Sequence, residues 1–156
     1  MSLAITLSNK SCGTCTKCCE GSLKLIVRGQ KVFPGHPCPL LNLNSGCSDY
    51  ENRPAMPCKT YRCQWLKNPE MPERFKPNLI NFIVHRMWLK KHEYYTLIPS
   101  GIDLKISDIE DIFLWFKEEG YNFSYVYQDK EYLCGTEEFL KECYNNKDLK
   151  NKTSTN

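Results

Sequence analysis

Cys12-Gly13-Thr14-Cys15-Thr16-Lys17-Cys18-Cys19 is the stretch on which the reading of this chain turns, and Cys38, Cys47, Cys58 and Cys63 follow it. Thiolates at two-residue spacing converge readily on one soft metal centre. The spacing therefore predicts an N-terminal half organised around bound metal, with these eight cysteines as ligands. Adjacent side chains diverge, so Cys18 and Cys19 can serve different centres. Eight thiolates suffice for two four-thiolate sites, or for one cluster with cysteines to spare.

Two metals suit this donor set. Structural zinc takes four thiolates in a closed tetrahedron, with Zn–S about 2.3 Å. A [4Fe–4S] cluster also takes four, and the Cys-x2-Cys-x2-Cys run occurs in bacterial ferredoxins. There the next cysteine comes after three residues and precedes proline. Cys19 instead adjoins Cys18, so the chain is not a ferredoxin. An iron–sulfur cluster of undefined type, in an electron-transfer or redox role, is the expected cofactor. A zinc-stabilised interaction module without catalysis is the alternative.

Composition narrows the setting. The chain has 156 residues, long enough for one domain that buries roughly two-thirds of the surface its unfolded form exposes. Hydrophobic residues make up 41% and aromatic residues 12%, too much for a disordered chain. With 21 basic and 18 acidic residues the net charge is only +3, which makes no general case for nucleic acid or an anionic membrane as partner. No secretory signal is expected: Met1 to Lys10 has no early basic residue, and its apolar stretch stops by Ser8. No run approaches the 18 apolar residues of a membrane span. The expected location is the cytoplasm of a bacterial-type cell, where disulfides rarely persist and clustered cysteines bind metal or do redox chemistry. The partner would be an unidentified redox or protein partner.

The expected fold class is α+β, with an irregular cysteine-rich N-terminal region followed by a small antiparallel sheet and two helices. Residues 1–66 form the metal-binding region, interrupted by Gly29, Pro34-Gly35, Pro37, Pro39, Gly46, Pro54 and Pro57. Leu23 to Val27 is a possible strand there. Residues 67–144 form the small α+β region, packed on the first within one domain. Leu79 to Val84 and Tyr94 to Ile98 read as a hairpin with a longish loop. Ser107 and Glu110 form a capping box, with Ile109, Ile112, Phe113 and Phe116 as a buried stripe and Gly120 as the stop. Phe123 to Tyr127 is a third strand. Glu131 to Leu133 is a fourth, after an Asp129-Lys130 turn. Thr136-Glu137-Glu138 opens a second helix with Phe139, Leu140, Cys143 and Tyr144 on its apolar face. Residues 145–156 read as a disordered polar tail.

The cysteine order resembles that of the YkgJ-type cysteine-cluster family, with its Cys-x2-Cys-x2-Cys-Cys opening. Cys12 to Cys19 match that opening. Cys38-Pro39-Leu40-Leu41, Gly46-Cys47-x2-Tyr50-Glu51-x-Arg53-Pro54 and Cys58-x2-Tyr61-x-Cys63-x-Trp65 follow in the family's order. Met71 to Pro77 is similar to a Pro-Glu…Arg-Pro stretch that often comes next. The family is described as zinc- or iron-chelating, and many members are called iron–sulfur oxidoreductases. The resemblance implies that all eight cysteines are ligands, and leaves open whether this chain is an enzyme. Asp49 stands where the family usually has an aliphatic residue and Lys59 where arginine is common. The longer flagellin lysine methylases are relatives, but this chain has no glycine-rich S-adenosylmethionine loop.

The other candidates read more plainly. Cys134 and Cys143 lie outside the pattern and read as small hydrophobes. His36 is a loop histidine, and His85 and His92 flank the hairpin. Arg53, between Cys47 and Cys58, is expected to support the site by donating to anionic sulfurs or pairing with Glu51.

Overall fold

A computed structural model describes residues 9–100, 106–127 and 130–153. The chain forms two compact units, Met1–Val84 with Ile98–Lys105 and His85–Leu97 with Ile106–Asn156. The class is α+β, with a cysteine-rich N-terminal region, as the sequence predicts.

The first unit is built from short pieces. Strands β1 (Leu25–Val27) and β2 (Gln30–Val32) form a hairpin with Val27 opposite Gln30. Its turn is Arg28-Gly29, at φ 48° and 79°. Two positive φ values match the twist of a tight two-residue hairpin, and glycine at the second position makes this cheap. Strands β3 (Leu41–Asn42) and β4 (Gly46–Cys47) form a second, smaller hairpin. A kinked helical turn spans Ala55–Lys59, and helix α1 covers Gln64–Lys67. Helix α2 (Pro77–Ile80) opens on proline, whose fixed φ and missing N–H suit a first helical position, and ends at Asn81 with φ 56°. The core of this unit includes Val27, Val32, Trp65, Met71, Phe75 and Ile83. Lys10 Nζ donates to the carbonyls of Asn68, at 2.7 Å, and of Met71.

The four-stranded sheet runs in the order β5 (Phe82–Leu89), β6 (His92–Pro99), β7 (Phe123–Tyr127), β8 (Lys130–Cys134). The hairpin strand starts three residues later than the sequence suggests, because Leu79 and Ile80 belong to α2. The longish loop expected at 90–93 is only Lys90-Lys91, with Lys90 at φ 53°.

The sheet is mixed where a purely antiparallel one is expected. Strands β6 and β7 pair in parallel, Tyr95 opposite Phe123, whereas β7 and β8 are antiparallel. Helix α3 (Ile106–Glu118) lies between them in sequence, and parallel neighbours require such a crossover.

The second unit packs around aromatic rings. Phe116 stacks on Tyr95 at 5.5 Å and on Phe123 at 5.4 Å, and Phe113 meets Phe123 edge-on at 4.6 Å. Ile109, Ile112 and Phe116 are buried, as the stripe requires. Ser107 lies inside α3, so it does not cap it. Gly120, at φ 74°, follows the helix, and Tyr121 N donates to Phe116 O at 3.0 Å. Helix α4 spans Glu137–Thr153, with Phe139 N donating to the Thr136 hydroxyl at 3.3 Å. It runs through much of the stretch read as a disordered tail. Phe139 and Cys143 are buried, but Tyr144 is exposed. At about 100° per residue, Tyr144 stands about 140° around the helix from Phe139, off the apolar face. Residue 129 of the expected turn lies outside the described residues.

Candidate metal centre

All eight cysteines of the sequence pattern lie in the first unit and line one cavity of about 480 Å³. Each is reduced and unbridged. Local turns set their positions. Cys15 N donates to Cys12 O at 2.9 Å, closing the Cys-x2-Cys loop. A single helical turn, Lys17–Glu20, carries Cys18 and Cys19 and ends at Gly21, φ 99°. Thr16 and Lys17 both bond Glu20, at 2.7 and 3.1 Å, which pins this turn. Cys38 N donates to Cys19 O at 2.8 Å, and Leu41 N to Cys38 O at 3.0 Å. Leu41 pairs with Cys47 across β3 and β4. Cys58 sits on the Ala55–Lys59 turn, which packs against β1. Cys63 precedes α1, and its sulfur accepts from the backbone amides of Leu66 and Trp65.

Backbone bonds and packing bring Cys19, Cys38, Cys47 and Cys58 together, and electrostatic coupling links the other four. Cys38 is buried with Val27 and Val32, and Cys19 and Cys58 pack against the same cluster. A charge on Cys19 would feel Cys38, Cys47 and Cys58, and one on Cys58 would feel Cys38 and Cys47. A charge on Cys18 would feel Cys63, Cys15 and Cys12, and Cys63 is coupled to Cys12 and Cys15. The couplings that cross between groups run through Cys19, to its neighbour Cys18 and to Cys12.

Burial dominates the electrostatics of the cavity. It raises the thiols of Cys12, Cys18, Cys58 and Cys63 above their ordinary range, and neighbouring thiols add to the rise. Cys19 is pushed up to about 12 by burial and by Cys38, Cys47 and Cys58. Without a compensating cation the site keeps these thiols protonated. Tyr61, in the cavity wall, is raised by burial and by Cys18 and Cys63.

Cations partly offset this. Arg53 lines the cavity and favours ionisation of Cys12 in one group and Cys58 in the other. Its guanidinium stacks on the Tyr50 ring at 3.7 Å and donates to the Tyr50 carbonyl at 2.6 Å, so its partner is Tyr50 rather than Glu51. Lys76 also lines the cavity, favours ionisation of Cys12 and lies over the Trp65 ring at 5.1 Å. Sequence reasoning missed Lys76. Its only signal is a place in the Met71–Pro77 stretch, whose Met71, Phe75 and Pro77 are buried and carry Lys76 inward. Arg28 favours ionisation of Cys58 and bonds Asp49 at 2.6 Å, which gives Asp49 a role the family resemblance leaves unexplained.

Among the described residues, no group of three or more His, Cys, Asp or Glu is placed so that it could hold a metal ion. The thiols share a cavity without being gathered as the ligands of a single ion are. His36 stacks on Phe33 at 4.0 Å and is exposed. Cys134 and Cys143 belong to the second unit, on β8 and α4.

No family model, curated protein or solved structure matches the chain. Among the described residues no helix is long and apolar enough to cross a membrane.

Proposed function

We propose that this chain is a metal-binding protein of the cysteine-cluster type, holding iron–sulfur through Cys12, Cys15, Cys18, Cys19, Cys38, Cys47, Cys58 and Cys63 and serving in electron transfer. The observation that carries this reading is the shared cavity of about 480 Å³ lined by all eight thiols. The chemistry of the donor set fits, since four thiolates are what an iron–sulfur cluster takes from a protein. The cysteine order that resembles the YkgJ-type family supports the same reading.

Among the described residues no three His, Cys, Asp or Glu are placed to hold one ion. Four thiolates on a [4Fe–4S] cluster bind separate irons and stand farther apart than the ligands of one zinc. The Cys-x2-Cys-x2-Cys run, which occurs in bacterial ferredoxins, is what favours iron–sulfur over zinc. Bound, such a cluster supplies a one-electron couple. The residues of this chain would hold it and compensate its charge. Leu25, Val27, Leu40 and Leu66 give the cavity an apolar wall, and Arg53 and Lys76 bring positive charge to it. Burial that raises the free thiols makes ligation release protons.

The test is reversible electron uptake. Protein purified without oxygen should absorb in the visible, bleach on addition of dithionite and recover on reoxidation. A colourless protein whose spectrum is indifferent to dithionite would refute the redox role.

A further inference from the structure

We propose that the cavity holds two metal centres rather than one, with Cys12, Cys15, Cys18 and Cys63 around the first and Cys19, Cys38, Cys47 and Cys58 around the second. The proposal rests on the metal-binding reading above and adds the number of centres and the pairing of their ligands.

Backbone geometry makes the division. Cys19 is tied to Cys38 by the amide-to-carbonyl bond of 2.8 Å. Leu41 N donates to Cys38 O at 3.0 Å, and Leu41 pairs with Cys47. Cys58 and Cys19 pack on the buried cluster of Val27, Val32 and Cys38. Three loops distant in sequence thus meet at Cys19. The loop from Cys12 to Cys15 is closed by its own turn, and Lys76 joins it to the segment after Cys63: its Nζ lies over the Trp65 ring at 5.1 Å and 3.5 Å from where a Cβ on Gly13 would stand.

The adjacent pair is the dividing point. Successive side chains on a tight helical turn project about 120° apart. Cys18 and Cys19 therefore face different sides, and one peptide unit links the two centres. Four thiolates on each side complete the usual ligand count of a four-thiolate site twice.

The experiment is metal content of the full-length protein, purified without oxygen, in Cys15→Ser, Cys47→Ser, the same-group double Cys15→Ser/Cys63→Ser and the cross-group double Cys15→Ser/Cys47→Ser. Two centres predict a loss of about half the metal in each single variant, no further loss in the same-group double and complete loss in the cross-group double. Complete loss in either single variant, or equal loss in the two doubles, would overturn the pairing. A variant that fails to fold is bypassed by mild oxidation of the metal-free native wild type with disulfide mapping. Bridges should then join Cys63 to Cys12, Cys15 or Cys18, and Cys58 to Cys19, Cys38 or Cys47. Dominant Cys58–Cys63 bridging would overturn the proposal. Zinc in place of iron, in the same half-and-half pattern, would end the iron–sulfur reading and leave the pairing standing. A wild type without metal would end both.

Discussion

The backbone amide of Cys38 donates to the carbonyl of Cys19 at 2.8 Å. This bond joins the turn that carries the cysteine pair to the loop before β3. It ties the two backbone segments directly to each other. The turn exits through Gly21 at φ 99°, and a Cβ there would run into the carbonyl oxygen of Phe33.

Gly21→Ala should therefore destabilise the protein by about 2 kcal/mol or more, since a left-handed φ alone costs an alanine roughly 1–2 kcal/mol and the neighbour is backbone. Gly29→Ala needs the same conformational change but meets nothing within 4 Å. Denaturant midpoints of the two variants should separate them, with Gly21→Ala the more costly. Equal midpoints would show that contact with Phe33 does not constrain the turn.

The raised thiols give the metal-free, reduced protein a distinct pH dependence. A folded-state value above the unfolded one favours the native state at low pH. That contribution is complete below about 9 and is lost as pH rises toward the folded value, about 12 for Cys19. The chelated protein should therefore lose denaturant resistance steadily from pH 9 to pH 12. A flat profile over that window would mean that the thiols are not buried together.

Arg53 lies in range of a thiol from each group. Arg53→Gln should weaken metal retention roughly 10-fold, the lower end for loss of a supporting group. Arg53→Lys, which keeps the charge and loses the planar stack on Tyr50, should lose less. Competition with a chelator measures both. Equal retention in wild type and Arg53→Gln would leave Arg53 with only its loop contacts.

Cys134→Ser and Cys143→Ala should leave metal per chain unaltered. Cys143 is buried, so its truncation should cost roughly 1 kcal/mol. Metal loss in either variant, measured by elemental analysis, would bring the second unit into the site.

Much of the second unit is legible in the sequence, because α3 carries a clear apolar stripe and β7 is rich in aromatic and β-branched residues. The parallel pairing of β6 with β7 is not, since strand order depends on contacts between distant segments. Leu79-Ile80 reads as strand by propensity, yet proline at the first helical position and left-handed Asn81 make it a helical turn. Strands β2, β3 and β4 are too short to show a period. In the site, spacing identifies the eight cysteines as a set. It cannot tell that Cys63 joins Cys18 while Cys58 joins Cys19, because that depends on where two separate loops return. Lys76 is invisible for the same reason: only the burial of its neighbours turns it inward.

The central claim is tested most directly by iron and acid-labile sulfide per chain in protein purified without oxygen. Iron and sulfide in near-equal amounts, with a brown colour, is the predicted result. Colourless protein carrying zinc, or no metal at all, would contradict it.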